Sequence, residues 1–264
     1  SEFNRVVVTN HSSEQGLVTT DAIRFGGGMG NIERGGEISG LPRCLEGARY
    51  STQWYGAPRE VVSVYQGQND YNDDINCRSL MVNWLAGGSC YVPFQEGKHV
   101  PVELSLAVHS DAGYTTDGSL TGTLSICTTD YKGDTKLNSG LSRSVSKTFA
   151  KEIVSQIKDD LQSRFNFSWT TRGVWDKNYN ECRRPEIPSA ILEMLSHQNF
   201  NDMKLGQDPN FKFTLARATY KAITKFIAGM HHASYTIQPL APSHFSAGFV
   251  SKNRLQLRWK EVDD

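Results

Sequence analysis

Three polar side chains stand where the surrounding sequence is otherwise apolar or small. His109 closes the run Val102–Val108 and opens the turn Ser110-Asp111-Ala112-Gly113. Ligands and catalytic groups in α/β sheets gather at the carboxyl ends of strands, which is where such a histidine would stand. Glu193 interrupts the apolar run Ala190-Ile191-Leu192-Glu193-Met194-Leu195. A carboxylate inside such a strand must be paired, sit next to a metal, or hold its proton to higher pH, because burying it alone is costly. Glu46 lies among small and aromatic residues in Glu46-Gly47-Ala48-Arg49-Tyr50. Each also has a plainer explanation: a hydrogen-bonded structural histidine, or a glutamate on a solvated helix face. By residue type alone the three support a hydrolase-like α/β protein and no more.

The elements that must position them alternate in type. Helices are expected over Arg43–Tyr55, with Pro42 in the first turn and Gly56 and Pro58 beyond the end, and over Asp74–Leu85, stopped by Gly87-Gly88. A longer one is expected over Ser142–Phe165, where Val145, Phe149, Ile153, Ile157 and Leu161 recur at helical spacing, and a last one over Phe213–Gly229. Strands are expected at Val61–Tyr65, Val102–Val108, Leu120–Thr128 and Ser189–Leu195, with a short extended piece at Arg172-Gly173-Val174. Alternation of this kind indicates a three-layer α/β fold, a central mostly parallel or mixed sheet flanked by helices. Short β segments stand at both ends: Val6–Thr9 and Leu17–Phe25 before it, Tyr235–Leu240 and Arg254–Trp259 after it. The Gly26–Gly30 run has neither the ending of a P-loop nor the spacing of a dinucleotide-binding turn, and reads as a connection, with Gly35-Gly36 as a hinge. The domain reading is therefore 1–36 for the trailing part of an accessory β module, 37–234 for the catalytic unit, and 235–264 for a linker and the first strand of a following β domain. Both ends read as cut from a longer protein.

Composition narrows the partners. The 264 residues carry 28 basic and 28 acidic side chains, so no charge excess points to nucleic acid or an anionic membrane. No apolar run approaches the roughly 20 residues that span a bilayer. The five cysteines, Cys44, Cys77, Cys90, Cys127 and Cys182, include no C-x-x-C pair, which argues for singly packed thiols over a cysteine zinc knot.

Local sequence goes further. Pro188-Ser189-Ala190-Ile191-Leu192-Glu193-Met194-Leu195-Ser196, with Asn199 and Asp202, resembles the signature strand and turn of the zinc-dependent N-acetylmuramoyl-L-alanine amidases. Arg172-Gly173-Val174 is similar to that family's R-G-V element. Leu106-Ala107-Val108-His109-Ser110-Asp111-Ala112 is similar to its S-x-H-x-N-A strand end, with Asp111 for the usual Asn. The helix carrying Arg78, Asn83 and Trp84 is similar to the one preceding that strand. The resemblance runs in order over about residues 40–230. The flanks resemble large multi-domain amidases of Bacteroidetes-type bacteria, in which a β-sandwich module is inserted near the start of the catalytic domain and a fibronectin-III-like domain follows it.

The resemblance implies a peptidoglycan hydrolase, exported to the periplasm or cell envelope, that cuts the bond between N-acetylmuramic acid and L-alanine with zinc-activated water. It assigns Glu46 and His109 as zinc ligands and Glu193 as the catalytic carboxylate. Asp111, Arg172, His197 and Asn199 become substrate-binding residues or supports of the site. The family's first ligand, a His in a G-H-G-G turn, has no counterpart: His11 stands in the accessory β segment, and His99, His231, His232 and His244 lack the context. Either that strand precedes Ser1 or the ligand is lost, and the cut-looking ends favour the former. The rival functions are an inactive peptidoglycan-binding pseudo-amidase and a different zinc peptidase such as a carboxypeptidase.

Overall fold

A computed structural model describes residues 7–16 and 47–262 of the chain. By internal contacts it divides into two compact units, Ser1–Met81 and Val82–Asp264. The expected strand Leu17–Phe25, the Gly26–Gly30 connection, the Gly35-Gly36 hinge, the 36/37 boundary and Glu46 lie outside the described residues.

In the first unit, helices α1 (Ala48–Trp54) and α2 (Arg59–Val62) precede α3 (Asp70–Ala86), which begins in this unit and runs into the second. The expected strand at Val61–Tyr65 is corrected: Pro58 starts a helical turn, and Val61 and Val62 bury their side chains from it. Asp73, fully buried, accepts hydrogen bonds from the Tyr65 and Gly67 amides at 2.6 and 3.1 Å, which fixes that segment as a turn. Arg49 closes the unit by donating to Asp70 Oδ1 at 2.5 Å and to Ser63 Oγ at 2.9 Å. Val7–Thr9 carries no regular structure, so no β segment forms there.

The second unit is built on a mixed four-stranded sheet, order β1 (Ser105–Asp111), β4 (Ser189–Ser196), β2 (Thr123–Cys127), β3 (Thr171–Asp176). The pairs β1/β4 and β2/β3 are parallel, whereas β2 and β4 run antiparallel. The carboxyl ends of β1 and β4 thus share one edge of the sheet with the amino ends of β2 and β3. Helix α4 (Ser144–Phe165) buries Phe149, Ile153, Ile157 and Leu161, one per turn, against one face of the sheet. Asn166 ends it in the left-handed conformation at φ 52°, its N–H donating to Gln162 O. Helix α7 (Pro209–Met230) starts where the Asp208 side chain caps the Asn210 amide, and packs Ala218 and Ala222 close to α4. Phe149 meets Phe226 with ring centroids 4.8 Å apart. Each such apolar side chain, fully buried, is worth about 1.5–3 kcal/mol. Beneath them Trp169 is 1% exposed and donates its indole N–H to Thr123 Oγ1 at 2.8 Å.

Two short helices had no periodic signal in the sequence: α5 (Asn180–Arg183) and α6 (Phe200–Gly206). Helix α5 covers the opposite sheet face, where Cys182 packs with Leu124, Ile126 and Ile191. Tyr235–Leu240 is not a strand. The last strands are β5 (Ser243–Ser251) and β6 (Arg254–Lys260), an antiparallel hairpin with exposed side chains along nearly its whole length.

Candidate active site

Parallel pairing of β1 and β4 sets His109 directly beside Glu193 in register. His109 therefore lies inside β1, not after its end. Side chains alternate along a strand, so Ala107, His109 and Asp111 share one face with Ile191 and Glu193. Val108, Ser110, Leu192 and Met194 point to the other face, towards α7 and an apolar groove of about 540 Å³. On its other side Glu193 pairs with Leu124 of β2, so the carboxylate stands at the middle of the sheet.

A fourth residue, absent from the sequence argument, joins them. Glu181, in the first turn of α5, brings its Oε1 and Oε2 to 3.3 and 3.2 Å from His109 Nε2. Its place is set by three anchors around α5. Cys182 Sγ donates to Ile126 O at 3.2 Å, and Ser189 Oγ to Cys182 O at 3.1 Å. The buried Arg143 donates to Arg183 O at 3.1 Å and pairs with Glu186 at 3.4 Å. Asn83 of α3 clamps the next segment, donating to Arg184 O and accepting from the Glu186 amide at 2.9 and 2.8 Å. A four-residue helix offers no periodicity, and Glu181 resembles an ordinary solvated glutamate until the chain folds.

Burial raises the Glu193 carboxyl above its ordinary value. His109 and Arg172 oppose that rise, whereas Asp111 and Glu181 reinforce it by like-charge repulsion. Among the described residues no hydrogen-bond partner reaches the buried Glu193 Oε2. Arg172, on β3, pairs through Nη1 with Asp111 Oδ2 at 2.5 Å and stacks over Trp175 at 5.7 Å. Its Nε and Nη2 are likewise buried without a hydrogen-bond partner among the described residues. Donors and an acceptor thus remain unmatched on the same side of the sheet, a costly arrangement unless another group satisfies them.

The rest of the signature frames the site. Asp202 is fully buried and accepts from the amides of Thr121, Gly122 and Ser196, each at 2.9 Å. Asn199 caps α6 by accepting from the Asn201 and Asp202 amides, and donates to Ser119 O and Thr121 Oγ1 at 2.7 and 2.9 Å. His197 is exposed, with Nδ1 at 3.1 Å from Ser110 Oγ at the rim of the apolar groove. The structure therefore brings His109, Asp111, Arg172 and Glu193 together, places Asn199 in the supporting turn, and sets His197 beside the other face. Of the thiols, Cys77, Cys127 and Cys182 are buried, and burial pushes them up to about 11, 12 and 12. All four described cysteines are free thiols, as expected, and Cys90 differs from the others in being exposed rather than packed.

Among the described residues no three His, Cys, Asp or Glu side chains are grouped to hold a metal ion. His109 and Glu181 are, however, donors of the kind zinc takes, facing one another at a spacing two ligands of one ion would keep. The chemistry of this donor pair fits the metal.

Residues 93–225 match the family model described as Amidase_3, N-acetylmuramoyl-L-alanine amidase. No curated protein matches the chain. Among solved structures it is similar to the catalytic domain of CwlV, an N-acetylmuramoyl-L-alanine amidase from Bacillus (Paenibacillus) polymyxa var. colistinus. That match has 19% identity and a TM-score of 0.37, and covers 48% of this chain and 59% of that one. The N-acetylmuramoyl-L-alanine amidase from Clostridium difficile 630 is similar at 13% identity and a TM-score of 0.41, covering 64% of this chain and 78% of that one. The CwlD amidase from Clostridioides difficile, solved with the GerS lipoprotein, gives 16% and 0.44, covering 62% and 66%. The chain thus spans less than two thirds of the CwlV and CwlD chains.

Proposed function

The chain belongs to the N-acetylmuramoyl-L-alanine amidase family, and we propose that it hydrolyses the amide joining N-acetylmuramic acid to L-alanine in peptidoglycan. The observation that carries this reading is Glu193: a partly buried carboxylate in the central strand, aligned with His109 and raised by burial, as a proton-transferring carboxylate commonly is.

In this reading the Glu193 carboxylate accepts a proton from the attacking water as it adds to the amide carbonyl carbon. The same carboxyl returns that proton to the alanine nitrogen as the C–N bond breaks, leaving a muramoyl carboxylate and a free peptide amine. Arg172 places a positive charge near Glu193, and Asp111 holds Arg172 in place. His109 would hold zinc, and bound zinc would acidify the water and polarise the carbonyl. Peptidoglycan lies outside the cytoplasmic membrane, so the reading requires export. Among the described residues no helix is long and apolar enough to cross a membrane.

The test is product analysis on purified peptidoglycan with zinc supplied. New amino-terminal alanine is expected, lost by about 10²–10⁴-fold in Glu193→Ala. Release of a carboxy-terminal residue instead, or equal activity in the variant, would sink the proposal.

A further inference from the structure

Resting on that reading, we infer that Glu181 is a direct metal ligand, sharing one divalent cation with His109. The family resemblance names no residue at this position.

Three observations carry the inference. The first is distance: both carboxylate oxygens of Glu181 stand at nearly the same separation from His109 Nε2, 3.3 and 3.2 Å. A charge-assisted N–H···O bond commonly closes to about 2.7–2.9 Å on one oxygen. Two donors about 2.0–2.1 Å from one tetrahedral ion lie about 3.3 Å apart, and that is the spacing seen. The second is charge. Glu181 faces His109, which stands level with Glu193, and Asp111, two residues further along β1, has its carboxylate paired with Arg172. A divalent cation between His109 and Glu181 would offset that negative charge. The third is rigidity. Glu181 is 17% exposed in its side chain, on a helix pinned by Cys182, Ser189 and Arg143. A pinned carboxylate presents its oxygens without an ordering cost, which is what a metal site requires of its protein ligands. Remaining coordination positions fall to water, substrate or donors outside the described residues.

The competing role is a positioning one, with His109 Nε2–H donating to Glu181 while Nδ1 faces the metal. The two differ in whether residue 181 touches the ion. The experiment loads the full chain with Co²⁺ and records absorption spectra of wild type and Glu181→Cys. A ligating residue predicts a thiolate-to-cobalt charge-transfer band in the near ultraviolet, present in the variant only. In parallel, zinc affinity is measured by competition with a chromophoric chelator. Glu181→Ala should lose more than 100-fold, and Glu181→His, one ligand exchanged for another, should recover to within tenfold of wild type. Circular dichroism checks that each variant is folded. Cobalt bound by Glu181→Cys without the band overturns the inference. So does Glu181→His as weak as Glu181→Ala, or a wild-type chain that takes up neither metal. These readouts need no turnover. An active enzyme whose Glu181 variants fail them keeps the amidase reading and loses this one, and the reverse result separates the two the other way.

Discussion

Replacing Asp202 by Ala should destabilise the second unit more than any other single change in the signature turn. Its carboxylate accepts from three buried amides, those of Thr121, Gly122 and Ser196, each at 2.9 Å, and among the described residues no other acceptor serves them. An alanine leaves three donors shielded from water. Each buried donor without a partner costs about 1–3 kcal/mol, so the loss is about 3–6 kcal/mol after partial relaxation. Against the ~5–15 kcal/mol that holds a typical domain together, that is a large share. With a urea slope of about 1–3 kcal/mol per molar, the midpoint should fall by at least ~1 M. Fluorescence of Trp169, the buried indole over the same sheet, reports the transition. Asp202→Asn is the informative companion. Oδ2 serves two amides and Oδ1 one. An amide side chain can keep its oxygen on the pair and turn its NH₂ towards Thr121, losing about half as much. A midpoint within ~0.3 M of wild type for Asp202→Ala would refute the reasoning, since the three amides would then have found other partners.

Other outcomes follow from the same geometry. Gly122→Ala should cost at least ~2 kcal/mol in urea unfolding, because φ is +72° and the new Cβ would stand 2.0 Å from the Thr170 carbonyl oxygen. Glu193→Gln should raise the melting temperature at pH 7 and leave it unchanged at about pH 4. The folded-state carboxyl is raised, so its contribution is complete below the ordinary value of 4.5 and is lost as pH rises through the folded-state value. A variant less stable than wild type at pH 7 would contradict the burial account. Trp169→Phe should lose about 1–3 kcal/mol, from the hydrogen bond to Thr123 Oγ1 and from the space left in the core, read by differential scanning calorimetry.

Elements with long periodic faces were legible in advance. Helices α4 and α7 repeat an apolar side chain every turn over 22 residues each; the structure shortens the first by two residues at its start and extends the second at both ends, to Pro209 and Met230. Strand β4 was legible because an apolar run with one carboxylate has few other solutions. Short elements were not. Val61–Tyr65 has the β-branched composition of a strand, yet it starts as a helical turn after Pro58, and the buried Asp73 carboxylate takes the amides of Tyr65 and Gly67 beyond it. Tyr235–Leu240 reads as β but finds no partner strand, whereas Ser243–Ser251, less obviously β, pairs with β6.

The site divides in the same way. That Glu193 interrupts an apolar strand, and that His-Ser-Asp follows another apolar run, are facts of local sequence, because burial of a carboxylate is readable from its neighbours. That His109 lies inside its strand and level with Glu193 depends on the parallel register of β1 and β4, which no local pattern encodes. Glu181 depends on more still. It comes 72 residues after His109, on a single helical turn held by hydrogen bonds to Ile126, Ser189 and Arg143. The sequence by itself determined which residue types carry the chemistry and which long segments are helix or strand, since propensity and periodicity are local properties of the chain. Only the tertiary structure decided which carboxylate faces the histidine, because strand register and helix placement are set by contacts between residues far apart in sequence.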